Sequence, residues 1–461
     1  MSDDTDLLET AAAEDAYALE SETVDAVRES VEAGNRERLV TLLGDLHPAD
    51  IADLLEQIEP DARKRLISLW GDRLDGTVLS ELEEGVRDEI LEYVPHEFLA
   101  SAVKDLDSDD VVYLVEDLEE PMQNRLLGAL DKADRAAVTQ SLAYPEDSAG
   151  RMMQREMVAV PPHWTVGDAI DFMRASDDLP DLFYDLIVVD PKMHPVGMVP
   201  LGRVMSHPRQ TPLSDLMTEN FRPIPVDQPQ EDVAYAFNQY HMVSGPVIDQ
   251  EGRLVGVITI DDAMDVLEDE TEEDMKLLAG LGDEELSDAV WRTARARFPW
   301  LAVNLVTAIL ASIVIAQFAD TIEAIVALAV LMPIVASMGG NAGTQTLTVA
   351  VRAIATRDLT PSNAWRIIRR EVLVGLGNGL AFAVIIGIIG LLWYGDPMLG
   401  VVLGIAMVGN LVVAGLAGIL IPIGLDKFGT DPALASGAFV TTVTDVVGFF
   451  LFLGLAAVIL L

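Results

Sequence analysis

Five apolar runs, each long enough to cross a hydrocarbon core of ~30 Å, fill the part of the chain that follows Arg297. They are 299–319, Ile322–Ala353, Val372–Tyr394, Met398–Leu425 and Ala433–Leu461. A soluble core does not bury so many helices of this length, so this part reads as a five-span α-helical transmembrane domain, 298–461. Charge divides the chain at the same place. The first 297 residues hold 67 acidic and 24 basic side chains, and the last 164 hold 8 and 6. A very acidic soluble part therefore precedes a nearly uncharged apolar one. That excludes a simple soluble enzyme and argues against nucleic-acid binding, which needs a positive face.

Cysteine is absent, which excludes disulfides, thiolate zinc sites and thiol catalysis. None of the 6 His residues pairs with another at metal or triad spacing, so no enzymatic activity is expected. Only 6 of the 30 basic residues are Lys. An acidic, lysine-poor surface suits strong screening, and the expected source is a salt-adapted one, a halophile. An acidic cluster must therefore stand out from an acidic background before it counts as a site. The start, MSDDTDLLET, lacks the basic and apolar regions of a signal peptide.

Basic residues orient the spans. Arg292, Arg295 and Arg297 precede span one; Arg352, at the end of span two, and Arg357, Arg366, Arg369 and Arg370 lie ahead of span three. The loops after spans one and three carry Asp320, Glu323 and Asp396 with no base. The soluble part is thus expected in the cytoplasm of a multi-pass membrane protein, and the carboxyl terminus outside.

Inside the membrane, polar residues are costly and mark function. Asp445, in TTVTDVVGFF, has no base near it in sequence. It should face a wet cavity or a cation; the alternative is a protonated side chain or one bonded to Thr441, Thr442 or Thr444. Span two holds PIVASMGGNAGTQTLT. There Gly339, Gly340 and Gly343 are expected to break or thin the helix, with Asn341, Gln345, Thr344 and Thr346 adding oxygens. Close helix packing is the alternative for the glycines. Oxygen donors without sulfur suit a hard cation, and a largely hydrated Mg²⁺ fits; Ca²⁺, Mn²⁺ or Na⁺ would also be allowed.

Two repeats organise the soluble part. ADIADLLEQIEPDARKRLI, from Ala49, matches DDVVYLVEDLEEPMQNRLL, from Asp109, aligning Leu54 with Leu114 and Leu66 with Leu126. The helical spacing predicts an α-helical solenoid-like domain, 35–149, after an acidic segment, 1–34. Further on, LIVVDPKMHPVGMVPL, from Leu186, matches PVIDQEGRLVGVITI, from Pro246, each a predicted hairpin preceded by a helix. This α/β repeat resembles a tandem pair of CBS domains, 150–207 and 208–267, and such pairs often bind adenine nucleotides. Between it and span one, nine of the 14 residues Asp261–Asp274 are acidic, where the soluble average predicts about three. An acidic connecting helix, 268–297, is expected here, its apolar side formed by residues such as Met275 and Leu277.

Taken together, these features resemble the MgtE family of magnesium channels over residues 35–461. The sharpest signatures are PIVASMGGNAGTQTLTVAVRAIATRDL in span two and DPALASGAFVTTVTDVVG from Asp431; YPEDSAGRMM, from Tyr144, resembles the junction into the CBS pair. The resemblance implies a homodimer with the ion pathway at its interface. It implies Asp445 as the pore carboxylate, the Thr441 carbonyl as its neighbour and Asn341 lining the cytoplasmic side, with Gly339, Gly340 and Gln345 in the same pathway. It implies regulatory Mg²⁺ at Asp110, Glu231, Asp262, Asp265, Glu270, Glu273 and Asp274, closing the pore when cytosolic Mg²⁺ is high, and ATP as a ligand of the CBS pair. The chain departs from the family pattern at His241, Met242 and Gly437. Two other readings of the residues stay open: a proton- or sodium-coupled carrier that titrates Asp445, and a membrane-anchored nucleotide sensor.

Overall fold

A computed structural model describes residues 19–461 apart from 105, 117, 119, 177–178, 181, 219, 283–289 and 435–436. Most of the expected amino-terminal acidic segment therefore lies outside the described residues. The chain forms two compact units, Met1–Glu268 and Asp269–Leu461.

In the first unit, short helices run from Ser21–Glu32 to Lys132–Ser141 around one apolar core. Local chemistry sets their starts. Pro48 and Pro60 occupy first-turn positions, where a missing N–H costs nothing. Asn35 Oδ1 accepts the Arg38 N–H at 3.1 Å, and Asp131 Oδ1 accepts that of Ala133 at 2.7 Å. Arginines close the other ends. Arg63 Nε donates to the Leu55 carbonyl at 2.8 Å, Arg125 Nη1 to that of Leu91 at 3.1 Å, and Arg135 Nη2 to that of Gly128 at 3.1 Å. The 60-residue repeat aligns Arg65 with Arg125, yet Arg65 is exposed; the bonds that repeat are those of Arg63 to the Leu55 carbonyl and of Gln123 to the Val115 carbonyl. Helix Ser21–Glu32 inserts Val24, Val27 and Val31 into this core. The expectation of a separate acidic segment up to residue 34 fails there, because the apolar period of three and four begins upstream of it.

The α/β repeat forms two three-stranded sheets of one design. In the first, β1 (Ala159–Val160) runs parallel to β2 (Asp185–Val189), which pairs antiparallel with β3 (Pro195–Pro200). The second repeats this with β4 (Ile224–Pro225), β5 (Ser244–Ile248) and β6 (Leu254–Thr259). Each hairpin turn is held by its aspartate: Asp190 Oδ1 accepts the N–H of Lys192 and His194, and Asp249 Oδ1 that of Glu251 and Arg253. The two copies exchange their opening segments. A Cβ on Gly256 would come within 2.7 Å of Met153 Sδ, and one on Gly197 within 2.8 Å of Met217 Sδ. Each glycine of the repeat is thus required by the close approach of the other copy's methionine.

Helix Ile260–Ala279 starts directly after β6 and stops at Gly280, whose φ is +71°. The connecting helix was expected over 268–297. It begins earlier because Thr259 and Asp262 cap it, and its end falls earlier at the glycine. Five further helices are long and apolar enough to cross a membrane: Val290–Ala316, Ala327–Ala355, Ala364–Tyr394, Pro397–Lys427 and Gly437–Ile459, spans one to five. Span one takes in Arg292, Arg295 and Arg297, and span three starts eight residues before the expected Val372. Arg366, Arg369 and Arg370 therefore lie on a helix rather than in a loop.

Candidate functional site

Span two is one unbroken helix through Pro333 and Gly339–Gly340, which corrects the expectation of a broken or thinned helix. The glycines serve packing instead. A Cβ on Gly339 would overlap Asn410 Nδ2 and touch Thr444; one on Gly343 would come within 2.5 Å of Val440 Cγ1; one on Gly340 within 3.1 Å of Thr441 Cγ2. Asn410, fully buried in span four, is the wedge between spans two and five. Its Nδ2 donates to the Val335 carbonyl at 2.9 Å, and it presses against Gly448 of span five. Asn410 is not among the residues expected from sequence, although a lone amide inside a long apolar helix is itself the signal. Gly339→Ala should therefore destabilise the protein by about 1–3 kcal/mol, read as a lower melting temperature in detergent. Gly377→Ala, where a Cβ meets nothing within 4 Å, should leave it unchanged; equal effects would refute the packing role.

Asp445 is half-buried on span five. The neighbouring hydroxyls do not serve it. Thr441 Oγ1 and Thr442 Oγ1 donate to the Ala438 carbonyl at 3.1 and 2.6 Å, and Thr444 Oγ1 donates to the Thr441 carbonyl at 2.9 Å. Among the described residues Asp445 has no hydrogen bond or ion pair. The reading of it as a threonine-bonded carboxyl is thus overturned, because helix geometry offers those hydroxyls a nearer carbonyl. The Thr441 carbonyl carries the Thr444 bond as well as its place in the helix. On span two, Asn341, Gln345 and Thr348 form an exposed polar stripe at helical spacing. Gly437 opens span five near Thr344.

Close by, Leu277 and Leu278 of the acidic helix pack on the cluster of Leu347 and Val351 of span two, Ala417 of span four and Val440 of span five. The expected apolar side of that helix thus touches the span that carries Asp445. Glu270 and Asp274 stand one turn apart on it, half-buried, and Glu273 is exposed.

In the first unit, helix Ser108–Glu116 brings carboxylates toward the start of helix Ile260–Ala279. Burial, then the charges of Asp262 and Asp110, push the Asp109 carboxyl well above its usual range. Burial, then Asp262, Asp107 and Glu81, push Asp110 up to about 7. Burial, with Asp261 and Asp265 adding, pushes Asp262 up to about 6 against the pull of its bonds from Thr259. Asp262 Oδ2 accepts the Thr259 N–H at 3.1 Å and its hydroxyl at 2.5 Å. Like charges have been gathered at a desolvated place. Of the expected regulatory residues the structure thus brings Asp110, Asp262 and Asp265 together and adds Asp109, whose burial the acidic background hid. Glu231 sits exposed on the first turn of helix Gln230–Tyr240. Among the described residues no three such side chains stand close enough to encircle one ion. The donor set is hard oxygen throughout, which suits a hard cation such as Mg²⁺.

Between the repeats, a hollow lined by Gln154, Glu156, Asp185 and Ser244 holds about 10 Å³, room for one water. Ser244 Oγ donates across it to Asp185 Oδ2 at 2.6 Å. In this conformation it is no nucleotide cavity. His241 caps helix Gln230–Tyr240 in the left-handed region, φ +52°, and Met242 packs into the second sheet's core.

A helical domain and a CBS pair ahead of five apolar helices, one bearing an unpartnered carboxylate, define a multi-pass membrane protein of cation transport. Three family models match: "MgtE intracellular N domain" over 46–147, "CBS domain" over 149–209 and 213–269, and "MgtE: Divalent cation transporter" over 332–455. The chain is 30% identical to the magnesium transporter MgtE of Bacillus subtilis over 380 residues, 82% of this chain and 84% of that protein. It is 32% identical to the magnesium transporter MgtE of Thermus thermophilus, covering 96% and 99%. A solved cytosolic domain of the Mg²⁺ channel MgtE in complex with ATP is 30% identical, covering 53% of this chain and 99% of that one with a TM-score of 0.49. The chain belongs to the MgtE family of magnesium transporters.

Proposed function

We propose that the protein is a Mg²⁺-selective channel closed by cytosolic Mg²⁺. The observation that carries the reading is Asp445: a half-buried carboxylate in a span, with neighbouring hydroxyls committed elsewhere. A charge so placed is sustained by water or a passing cation. The exposed stripe of Asn341, Gln345 and Thr348 supports a pathway at the interface of a homodimer, since polar side chains facing lipid would be costly. The basic residues flanking spans one and three support a cytoplasmic first unit and an outside carboxyl terminus.

Gating follows from differential affinity for two states. In the compact state the carboxylates of Asp109, Asp110 and Asp262 repel at close range, and the cation that bridges them offsets that repulsion. Helix Ile260–Ala279 carries Asp262 at one end and Leu277–Leu278, packed on spans two, four and five, at the other. Neutralising one end therefore holds the other against the pathway. Glu231, Glu270, Glu273 and Asp274 belong to the same regulation in this reading. ATP binding at the CBS pair would require the Ser244–Asp185 bond to open. The test is Mg²⁺ flux into liposomes of the reconstituted protein, with Mg²⁺ titrated on the cytoplasmic side. Flux that falls as cytoplasmic Mg²⁺ rises through the millimolar range is expected. Absence of flux, or a current that follows a proton or sodium gradient, would reject the channel.

A further inference from the structure

Arg366, Arg369 and Arg370 occur at helical spacing on the first turns of span three and face one way. With Ser362, Trp365 and Leu373 they line an open hollow of about 710 Å³. The chain has 75 acidic residues for 30 basic ones, yet among the described residues none of these three arginines has an ion pair. The acid next to them, Glu371, is half-buried and turned to span two, accepting the Thr346 hydroxyl at 3.4 Å. Three guanidinium groups with fifteen N–H donors are thus held on a rigid helix without an anion.

Their depth identifies the medium. Leu373, 63% exposed, and Val374, Leu380 and Val384, also exposed, continue the same helix as an outward apolar surface. From Arg370 to the exposed Trp393 the helix rises ~35 Å, close to the ~30 Å of hydrocarbon. Trp365, 70% exposed, stands beside the arginines at the level where aromatic belts form. The arginines therefore lie at the headgroup layer, with acyl chains below them. A phosphodiester accepts bidentate bonds from such a fork. A second copy of this face would set arginine against arginine, and a soluble phosphate would leave the apolar part of the hollow unused. Orientation by positive charge needs only basic residues near the membrane; it does not need a shaped hollow.

We propose that Arg366, Arg369 and Arg370 bind the phosphate of an anionic phospholipid, whose acyl chain lies along Leu373 and Val374. This does not depend on the transport reading. Full-length protein in detergent is incubated with equal amounts of phosphatidylglycerol and phosphatidylcholine, repurified, and its retained lipid measured. The parent should retain at least about five times more phosphatidylglycerol. R366Q/R369Q/R370Q should retain both lipids equally. R366K/R369K/R370K keeps the charge and the orientation signal, and its preference should fall at least twofold for want of the guanidinium fork; this variant carries the test where the glutamine one does not fold. Equal retention by the parent, or an unchanged preference in either variant, would overturn the proposal. So would displacement of the lipid by 10 mM inorganic phosphate, which would make the site one for a soluble anion. Dissociation of an oligomer in the glutamine variant would assign the face to a second copy instead.

Discussion

Asp445→Asn should lower Mg²⁺ flux at least tenfold while leaving folding and elution in detergent intact. The substitution keeps shape and removes charge, so the effect isolates electrostatics. A single carboxylate and a divalent ion ~5 Å apart attract by about 1.7 kcal/mol in bulk water, and about four times that at the effective dielectric of a protein surface. Each 1.4 kcal/mol is tenfold in occupancy, so even the fully wet limit predicts a clear loss. No other contact is broken, because the hydroxyls of Thr441, Thr442 and Thr444 donate to carbonyls rather than to this side chain. Asp445→Glu, which keeps the charge, should retain more flux than the asparagine variant. Near-normal, Mg²⁺-selective flux through Asp445→Asn would remove Asp445 from the pathway.

How much of this the sequence carried depends on the length scale of the signal. Span number, the two hairpins and the helical repeat were legible because apolar periodicity is local and long. Asp445 and the acidic run Asp261–Asp274 were legible because a charge in an apolar run, or an acidic excess over an acidic background, is conspicuous; Asp110 came from the family resemblance alone. What escaped depends on contacts between distant segments. Gly339 and Gly340 suggested a broken helix, since glycine weakens helices in isolation; only the position of Asn410, seventy residues on, shows that they are spaces for a neighbour. Asp109 sat in a row of aspartates, and its burial follows from the direction in which helix Ser108–Glu116 faces its core. The arginines before span three fell in an apparent loop because hydropathy marks where apolar residues begin, whereas the helix starts at Ala364.

The carboxylate cluster makes the second large effect a pH dependence with a definite sign. In the unfolded chain Asp110 and Asp262 lose their protons near the ordinary 3.8; in the folded protein they hold them to about 7 and about 6. Between these limits the folded state binds more protons, so its stability falls as pH rises and levels off above about 7. Metal-free protein should therefore lose at least about 5 °C in the melting of its soluble unit between pH 5.5 and 8.0, since about 1 kcal/mol moves such a domain by 2–4 °C. Addition of 5 mM Mg²⁺ at pH 8.0 should restore it. The measurement belongs in about 2 M KCl, where the Debye length is below ~3 Å and surface carboxylates hardly repel. What survives there is the desolvation of the buried carboxylates and the short-range repulsion among them, which K⁺ does not reach and a bridging divalent ion does. Asp110→Asn with Asp262→Asn should abolish both the pH dependence and the Mg²⁺ response. If stability rose with pH instead, these carboxylates would be ionised and satisfied in the folded state, and no repulsion would remain for Mg²⁺ to relieve. If extra K⁺ restored stability as well as Mg²⁺ did, bulk screening rather than a site would close the structure.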